Sequence, residues 1–493
     1  MTLDSIIPYI ALAVYLLFSL WVGLIGYKSQ KNTAEDYFLA NRSLGAIVLF
    51  FTLSATNFSA FFFLGFAGSG YRIGISYYPM MAWGTGFAAL TFYYIGDRVW
   101  RLGKEKGFIT PTELIFHRFQ NHPLKLVFLG VMVIFTLPFL ALQPIGAGYL
   151  LENLTGGQIP YFWGAVFLTL AIVFYVCIGG MNSVAFTDVF QGILMFSLMI
   201  VALLAIANSL GGIGTANQAV YDLKPELFNR QGVDNFFTQK QWFSYMCLWT
   251  FTIPMFPQMF MRFYTPKTAD CLKVATIFYP IITSLLFICP VMIGLWGHLT
   301  FPDLIGKEAD QIFPLMLGEH TSKSLASLVM VGALAAFMST LDSQLLALSS
   351  MLTRDIYIPY FRPQASLSEQ TLIGRLLIAF LAIIGLILAY QPPESILSLA
   401  TETFTGLSVL FPTVIATLYG KNVSAVGCLL SILVGETILI GLKTGLIPAN
   451  FTWGFLPVVP IVAISSLIII LSSLLFPQGK GLAKPIPLEP RKD

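Results

Sequence analysis

Apolar residues along this chain gather into long runs separated by short polar breaks. A run of about 20 apolar residues crosses roughly 30 Å of hydrocarbon as a helix. Runs of that length lie at 6–27, 45–70, 75–96, 124–151, 160–180, 186–210, 240–263, 272–299, 325–354, 371–391, 396–419, 424–446 and 454–476. They predict an all-α polytopic membrane protein of about 13 transmembrane helices. The first run has no basic leader and exceeds the roughly 7–15 apolar residues of a signal peptide, so it is expected to remain as a span. Three loops are longer than the rest, 97–123, 211–239 and 300–324, and none reads as a domain. Within the first, PTELIFHRF (Pro111 to Phe119) predicts a short interfacial helix, with Pro at its start and Leu114, Ile115 and Phe119 on one face.

Composition agrees with the pattern. The 493 residues are 56% hydrophobic and 10% charged, with a mean hydropathy of +0.79, against about 25% charge in soluble domains. The net charge of +3 and the lack of a basic run give no footing for a nucleic acid. Charge position is more informative than charge sum. With the amino terminus outside, 20 of the 27 Lys and Arg residues fall on the cytoplasmic side, among them Lys28, Lys31, Arg42, Arg262 and the tail cations. The positive-inside rule favours that orientation, with a cytoplasmic carboxyl terminus in the cell membrane. The five cysteines sit in or beside apolar runs without a CxxC pair, and the four histidines lie in or near loops without an HExxH. A metalloenzyme is therefore not expected, and without a Walker-type loop neither is ATP-driven transport.

Polar residues inside apolar runs are costly and mark function. Asp342 lies near the middle of the ninth run and shares a helical face with Ser339 and Ser343, with Thr340 beside them. A single hydroxyl in a membrane helix ordinarily only back-bonds to its own turn; several beside an acid suit an alkali ion or a proton. Asp188 opens the sixth run, where it could equally cap a helix. Glu402 and Glu436 are the remaining acids, and Glu436 reads as a local packing group. No Arg or Lys stands in the middle of a run. The second run is interrupted by Ser54, Thr56, Asn57 and Ser59, a place for a helix to break and expose carbonyls and N–H groups. Trp249, Pro254, Pro257 and Gln258 in the seventh run, and Pro138, Gln143 and Pro144 in the fourth, combine helix distortion with stacking and amide groups.

Three ordered segments carry a resemblance: GGMNSVAFTDVFQGILM (Gly179 to Met195), MSTLDSQLLALSS (Met338 to Ser350) and FTGLSVLFPTV (Phe404 to Val414). The chain resembles the solute:sodium symporter family over roughly residues 5–445. The resemblance implies a single transporter domain over 1–476 built as a five-plus-five inverted repeat with discontinuous helices. Residues 45–210 and 240–419 would be the two repeats, 6–27, 424–446 and 454–476 peripheral helices, and 477–493 a cytoplasmic tail. It implies a sodium site from the carbonyls of Ala55, Phe58 and Ala336 with the hydroxyls of Ser339 and Thr340. A second cation or proton site would use Asp188, Asp342 and Ser343, with Asp342 a carboxylate where some members carry a hydroxyl. Substrate would lie near Thr56, Asn57, Ser59, Gln143 and Trp249. The expected activity is sodium-coupled import of a small organic solute, a proline-like amino acid or a small monocarboxylate, by a protein that acts as a monomer in the lipid bilayer. Proton coupling on the same fold, or a non-transporting solute sensor, are the alternatives.

Overall fold

The computed structural model describes residues 3–28, 33–392 and 395–475; Lys31 and the tail 477–493 lie outside the described residues. Among the described residues all regular structure is helical. Helix α1 (Leu3–Lys28) and a short α2 (Ala34–Leu39) lead to α3 (Ala46–Asn57) and α4 (Phe66–Ile73), followed by α5 (Tyr77–Lys106), α6 (Pro111–Phe119), α7 (His122–Leu154) and α8 (Tyr161–Ser209). After α9 (Ile213–Leu223) come α10 (Gln239–Thr252), α11 (Pro257–Arg262), α12 (Asp270–Leu286), α13 (Ile288–Trp296) and α14 (Ile312–His320). The chain continues through α15 (Lys323–Met351), α16 (Leu367–Ala389), α17 (Ile396–Ser408) and α18 (Phe411–Tyr419). It closes with α19 (Ala425–Lys443) and α20 (Val458–Leu475), which pack on each other.

By length and composition, nine described helices can cross a membrane, or ten with the bent pair α3–α4 counted as one span. The difference from thirteen has local causes. The runs 160–180 and 186–210 are the two arms of the 49-residue α8, divided by non-helical backbone at Gly180, and enter the count once. Pro254 and Pro257 divide the seventh run into pieces of 14 and 6 residues. The second half of α5 carries Asp97, Arg98 and Arg101. Two expected loops contain helices too short for a span, α9 and α14, and Trp296 Nε1 donates to Asn217 Oδ1 at 2.7 Å to tie α9 to α13. Helix α6 begins at Pro111 behind a Thr110–Glu113 capping box, but its apolar face is buried against α7 and does not lie on a lipid surface.

Burial sorts centre from rim. In its most apolar window α15 is 83% buried, against 28% for α1 and 33% for both α16 and α20. Helix α15 is thus the central post, packed on α8, α7, α3 and α1. Its Ala333, Ala335, Ala336, Ser339 and Thr340 are small enough for close helix approach. Large apolar side chains such as Trp163, Phe174 and Phe380 face outward, a surface suited to hydrocarbon.

The two arms of α8 meet at Gly180, where φ is 53° and ψ −155°, a region open essentially to glycine alone. A Cβ there would stand 2.6 Å from the Tyr37 carbonyl oxygen. Gly180→Ala is therefore expected to destabilise the protein by about 3 kcal/mol and to lower its detergent melting temperature. The mid-helix control Gly130→Ala, with open space around its Cβ, is expected to leave the melting temperature unchanged or raise it slightly.

Candidate functional site

The site starts where α3 stops. Phe58 leaves helical geometry (φ −88°, ψ 87°), its N–H donates back to the Ser54 carbonyl at 2.9 Å, and the chain resumes through a π-turn at Phe61–Gly65 with its axis turned by 60°. Short polar side chains make this affordable to the backbone by replacing lost helix bonds. The Ser59 hydroxyl accepts from the Phe61 N–H at 3.2 Å. Gln143 Oε1 accepts from the Ala60 N–H at 2.9 Å while its Nε2 donates to the Phe139 carbonyl at 3.1 Å. On the other side of the break, the last carbonyls of α3 lose their intrahelical donors. One of them, Thr56, accepts from Thr340 Oγ1 at 3.1 Å, and Thr56 Oγ1 lies 3.2 Å from Ser343 Oγ. Ala55, Phe58, Ala336, Ser339 and Thr340 are all fully buried here, so α15 presents its hydroxyls to the frayed end of α3. Carbonyl and hydroxyl oxygens without sulfur or imidazole form a hard donor set, matched to an alkali cation.

Beside the break lies a buried ionic cluster that the sequence did not disclose. Arg262, the last residue of α11, is fully buried. Its Nε donates to Thr52 Oγ1 at 2.8 Å, and its Nη2 donates to Asp188 Oδ2 at 2.9 Å and to Ser343 Oγ at 2.6 Å. Nη1 donates to the Gln258 carbonyl at 3.2 Å. Asp188 also accepts from the Thr52 hydroxyl and from Ser339 Oγ at 2.8 Å. It sits mid-helix in α8, so it is no helix cap. Asp342 accepts from Tyr175 at 2.5 Å and from Ser343 at 3.0 Å. Asp188, Asp342 and Ser343 do meet, but a guanidinium stands between Asp188 and Ser343. Arg262, read from the sequence as a charge at the end of a run, is fully buried within the bundle. The signal was available in PQMFMRFY (Pro257 to Tyr264), an arginine flanked on both sides by apolar residues just after a proline break.

A small cavity of about 20 Å³ lies against the break, lined by Asn57, Ser59 and Thr85 together with aromatic rings that include Trp249. Trp249 packs against Phe61 and Phe404, with centroids 5.7 and 5.3 Å away, and its Nε1 faces Met80 Sδ at 3.3 Å. The Asn57 amide donates to the Tyr279 hydroxyl. Of the residues expected to meet substrate, Asn57, Ser59 and Trp249 line this cavity. Thr56 faces α15 instead, and Gln143 is spent on the break. Thr85 and Phe404 line it unforeseen; the Thr85 hydroxyl is buried without a hydrogen-bond partner.

Ion pairs tie the bundle above and below. At the end near α14, Arg72 donates to Asp310 Oδ1 at 2.9 Å, and Asp310 Oδ2 accepts from the Ile396 N–H at 2.8 Å. That joins the end of α4 to the start of α17. Burial raises the Asp310 carboxyl above its ordinary range, with the Arg72 guanidinium opposing. At the other end, Arg354 pairs with Glu113 at 2.9 Å and Lys125 with Asp355 at 3.2 Å, joining α6 and α7 to the turn that follows α15.

The sequence model of the sodium:solute symporter family matches residues 37–435. A sodium/pantothenate symporter of Escherichia coli strain K12 is 28% identical, over 95% of this chain and 95% of its own length. Sodium/proline symporter 2 of Staphylococcus saprophyticus is 27% identical, over 88% of this chain and 85% of its own. The solved structure of a Na+-coupled sialic acid symporter, substrate-bound and outward-open, superposes with a TM-score of 0.78 at 19% identity, covering 95% of this chain and 98% of that one. That last likeness establishes the fold.

Proposed function

Since the chain belongs to the sodium:solute symporter family, and so is a sodium-coupled membrane transporter and not an enzyme, we propose that it imports a small organic solute, a proline-like amino acid or a small monocarboxylate, together with one sodium ion. The solute would bind beside the break of α3. Sodium would bind between the carbonyls of Ala55, Phe58 and Ala336 and the hydroxyls of Ser339 and Thr340. The supporting observation is that α15 hydroxyls reach the freed end of α3, with Thr340 bonded to the Thr56 carbonyl.

Charge arithmetic supports a single sodium. Asp188 and Asp342 bring two carboxylates into a fully buried cluster, and Arg262 neutralises one. A sodium ion at Ser339, whose hydroxyl also reaches Asp188, balances the other. A second mobile cation would have no buried charge left to offset. Sodium then ties α3 to α15 and favours the solute-competent arrangement; each ligand raises the affinity of the other by the same coupling free energy. Moving one positive charge inward gains about 2.3 kcal/mol per 100 mV.

In this reading the protein works as a monomer in the cell membrane, without a nucleic-acid partner, with its amino terminus outside and its carboxyl terminus in the cytoplasm. The α14 end is then the outer face and the α6 end the inner one. Residues 45–210 and 240–419 form the two repeats. The test is uptake into proteoliposomes under an inward sodium gradient or an inward proton gradient at matched potential. Sodium-driven accumulation of a solute is expected, and accumulation driven by protons alone would overturn sodium coupling.

One observation favours a second reading. Asp342 and Asp188 share a single guanidinium, so a proton on Asp342 could neutralise the cluster in place of an ion. In that case Asp342→Ser would alter the pH profile of uptake; with sodium as the balancing ion, the profile is expected to stay as it was.

A further inference from the structure

At the α14 end of the bundle, away from the break of α3, lies a cavity of about 400 Å³, within the roughly 300–1,000 Å³ of small-molecule sites. Five stretches of chain close it: the start of α1, the last turn of α7, the turn into α8, the end of α14 and the first turns of α15. Its lining is amphiphilic, with Pro8, Ala326 and Met330 apolar and Tyr9, Gln158 and Lys323 polar.

The polar part offers donors without acceptors to match. Lys323 is the one charged residue in the lining, and its Nζ has no hydrogen-bond or ion-pair partner among the described residues. The acids near the cavity along the chain, Glu152 and Glu319, are not among the lining residues, and Glu152 Oε1 accepts from the Tyr161 N–H at 3.3 Å. Gln158 Oε1 accepts from the Tyr9 hydroxyl at 2.8 Å, which leaves both hydrogens of its Nε2 to give. An ammonium and a primary amide together complement an anionic oxygen group such as a phosphate.

Position says which phosphate. Tyr9 stands near the start of a span, the depth at which tyrosines mark the boundary between membrane and water. From there α1 turns Ile10, Val14 and Leu17 outward, an apolar stripe at helical spacing that faces hydrocarbon. Donors at headgroup level beside an apolar stripe suit a phospholipid better than a free ion. A headgroup with its own ammonium would bring a second cation into a lining that contains no acid.

We propose that this cavity seats the headgroup of an anionic phospholipid. Its phosphate oxygens accept from Lys323 Nζ and Gln158 Nε2, and an acyl chain runs along Ile10, Val14 and Leu17. The lipid joins α1, on the rim, to the start of α15, the central post. The site is separate from the sodium and solute sites and stands whichever face of the membrane the α14 end occupies.

The experiment titrates the delipidated, detergent-solubilised protein with dioleoylphosphatidylglycerol, dioleoylphosphatidylcholine or inorganic phosphate. It reads the melting temperature and, by native mass spectrometry, the lipid retained. Phosphatidylglycerol is expected to be kept as a one-to-one adduct, to raise the melting temperature and to bind at least about tenfold more tightly than phosphatidylcholine. Lys323→Gln, at an exposed side chain, is expected to weaken that binding at least about tenfold. Ala326→Phe, which fills the cavity from its apolar part, is expected to do the same. Lys307→Gln, at an exposed lysine just before α14 whose Nζ donates to the Pro392 carbonyl at 3.2 Å, is expected to change nothing. Phosphatidylglycerol binding indifferent to Lys323→Gln would overturn the proposal, as would phosphatidylcholine binding equally well. Inorganic phosphate raising the melting temperature as much at equal concentration would overturn the lipid as the source of the phosphate.

Discussion

The double substitution Ser339→Ala with Thr340→Val is expected to raise the sodium concentration for half-maximal uptake by at least about tenfold, while the maximal rate at saturating sodium falls much less. Both hydroxyls lie on the face of α15 that meets the break, and both side chains are fully buried. Valine keeps the shape of threonine, so helix packing is little disturbed. What is lost is two oxygen donors, and each 1.4 kcal/mol of lost ion binding is a factor of ten in affinity. A purely structural role for these hydroxyls would lower the melting temperature without moving the sodium dependence. Uptake measured across sodium concentrations, beside a melting curve of the same protein, separates the two outcomes.

The second large effect is expected at Arg262. Removing one partner of a fully buried ion pair typically costs about 3–5 kcal/mol, because the remaining charge is left uncompensated. In Arg262→Gln that charge belongs to Asp188, which would keep only its Thr52 and Ser339 hydrogen bonds. With Asp342 nearby, two carboxylates would face a single sodium ion. Uptake at ordinary sodium is expected to fall about 100-fold, with partial recovery at high sodium. The sodium dependence should steepen from a Hill coefficient of about 1 toward 2 as a second cation takes the vacated place. Arg262→Lys keeps the charge but not the planar fork that reaches Thr52, Asp188 and Ser343 together, so intermediate activity without steepening is expected. Unchanged uptake and an unchanged Hill coefficient in Arg262→Gln would contradict the assignment.

How much of this was legible in the sequence depends on whether a signal is local. The break of α3 was legible because Ser54, Thr56, Asn57 and Ser59 interrupt an otherwise apolar run, and such residues satisfy backbone groups that a helix end exposes. The stripe on α15 was legible because its members recur at helical spacing. Arg262 was not. A lysine or arginine at the end of an apolar run counts as an interfacial charge, and only the packing of α11 against α3 and α15 turns it inward, toward an acid 74 positions earlier in the chain. Gln143 illustrates the same limit: an amide in a proline-rich run reads as a ligand for solute, whereas tertiary contact assigns it to the Ala60 N–H. The division of α8 at Gly180 was legible, since the apolar pattern already set 160–180 apart from 186–210. Thr85 gave no periodic signal at all, a single hydroxyl between Gly84 and Gly86 that only the fold brings to the cavity beside Trp249 and Phe404.

In the reading proposed above, Arg262 stands as a fixed cation where a second mobile one would otherwise sit. Its most direct test is the ratio of radiosodium to labelled solute entering proteoliposomes in the same initial-rate experiment. One sodium per solute is expected for the unaltered protein, rising toward two in Arg262→Gln at high sodium; two per solute in the unaltered protein, or a ratio indifferent to Arg262, would contradict the account.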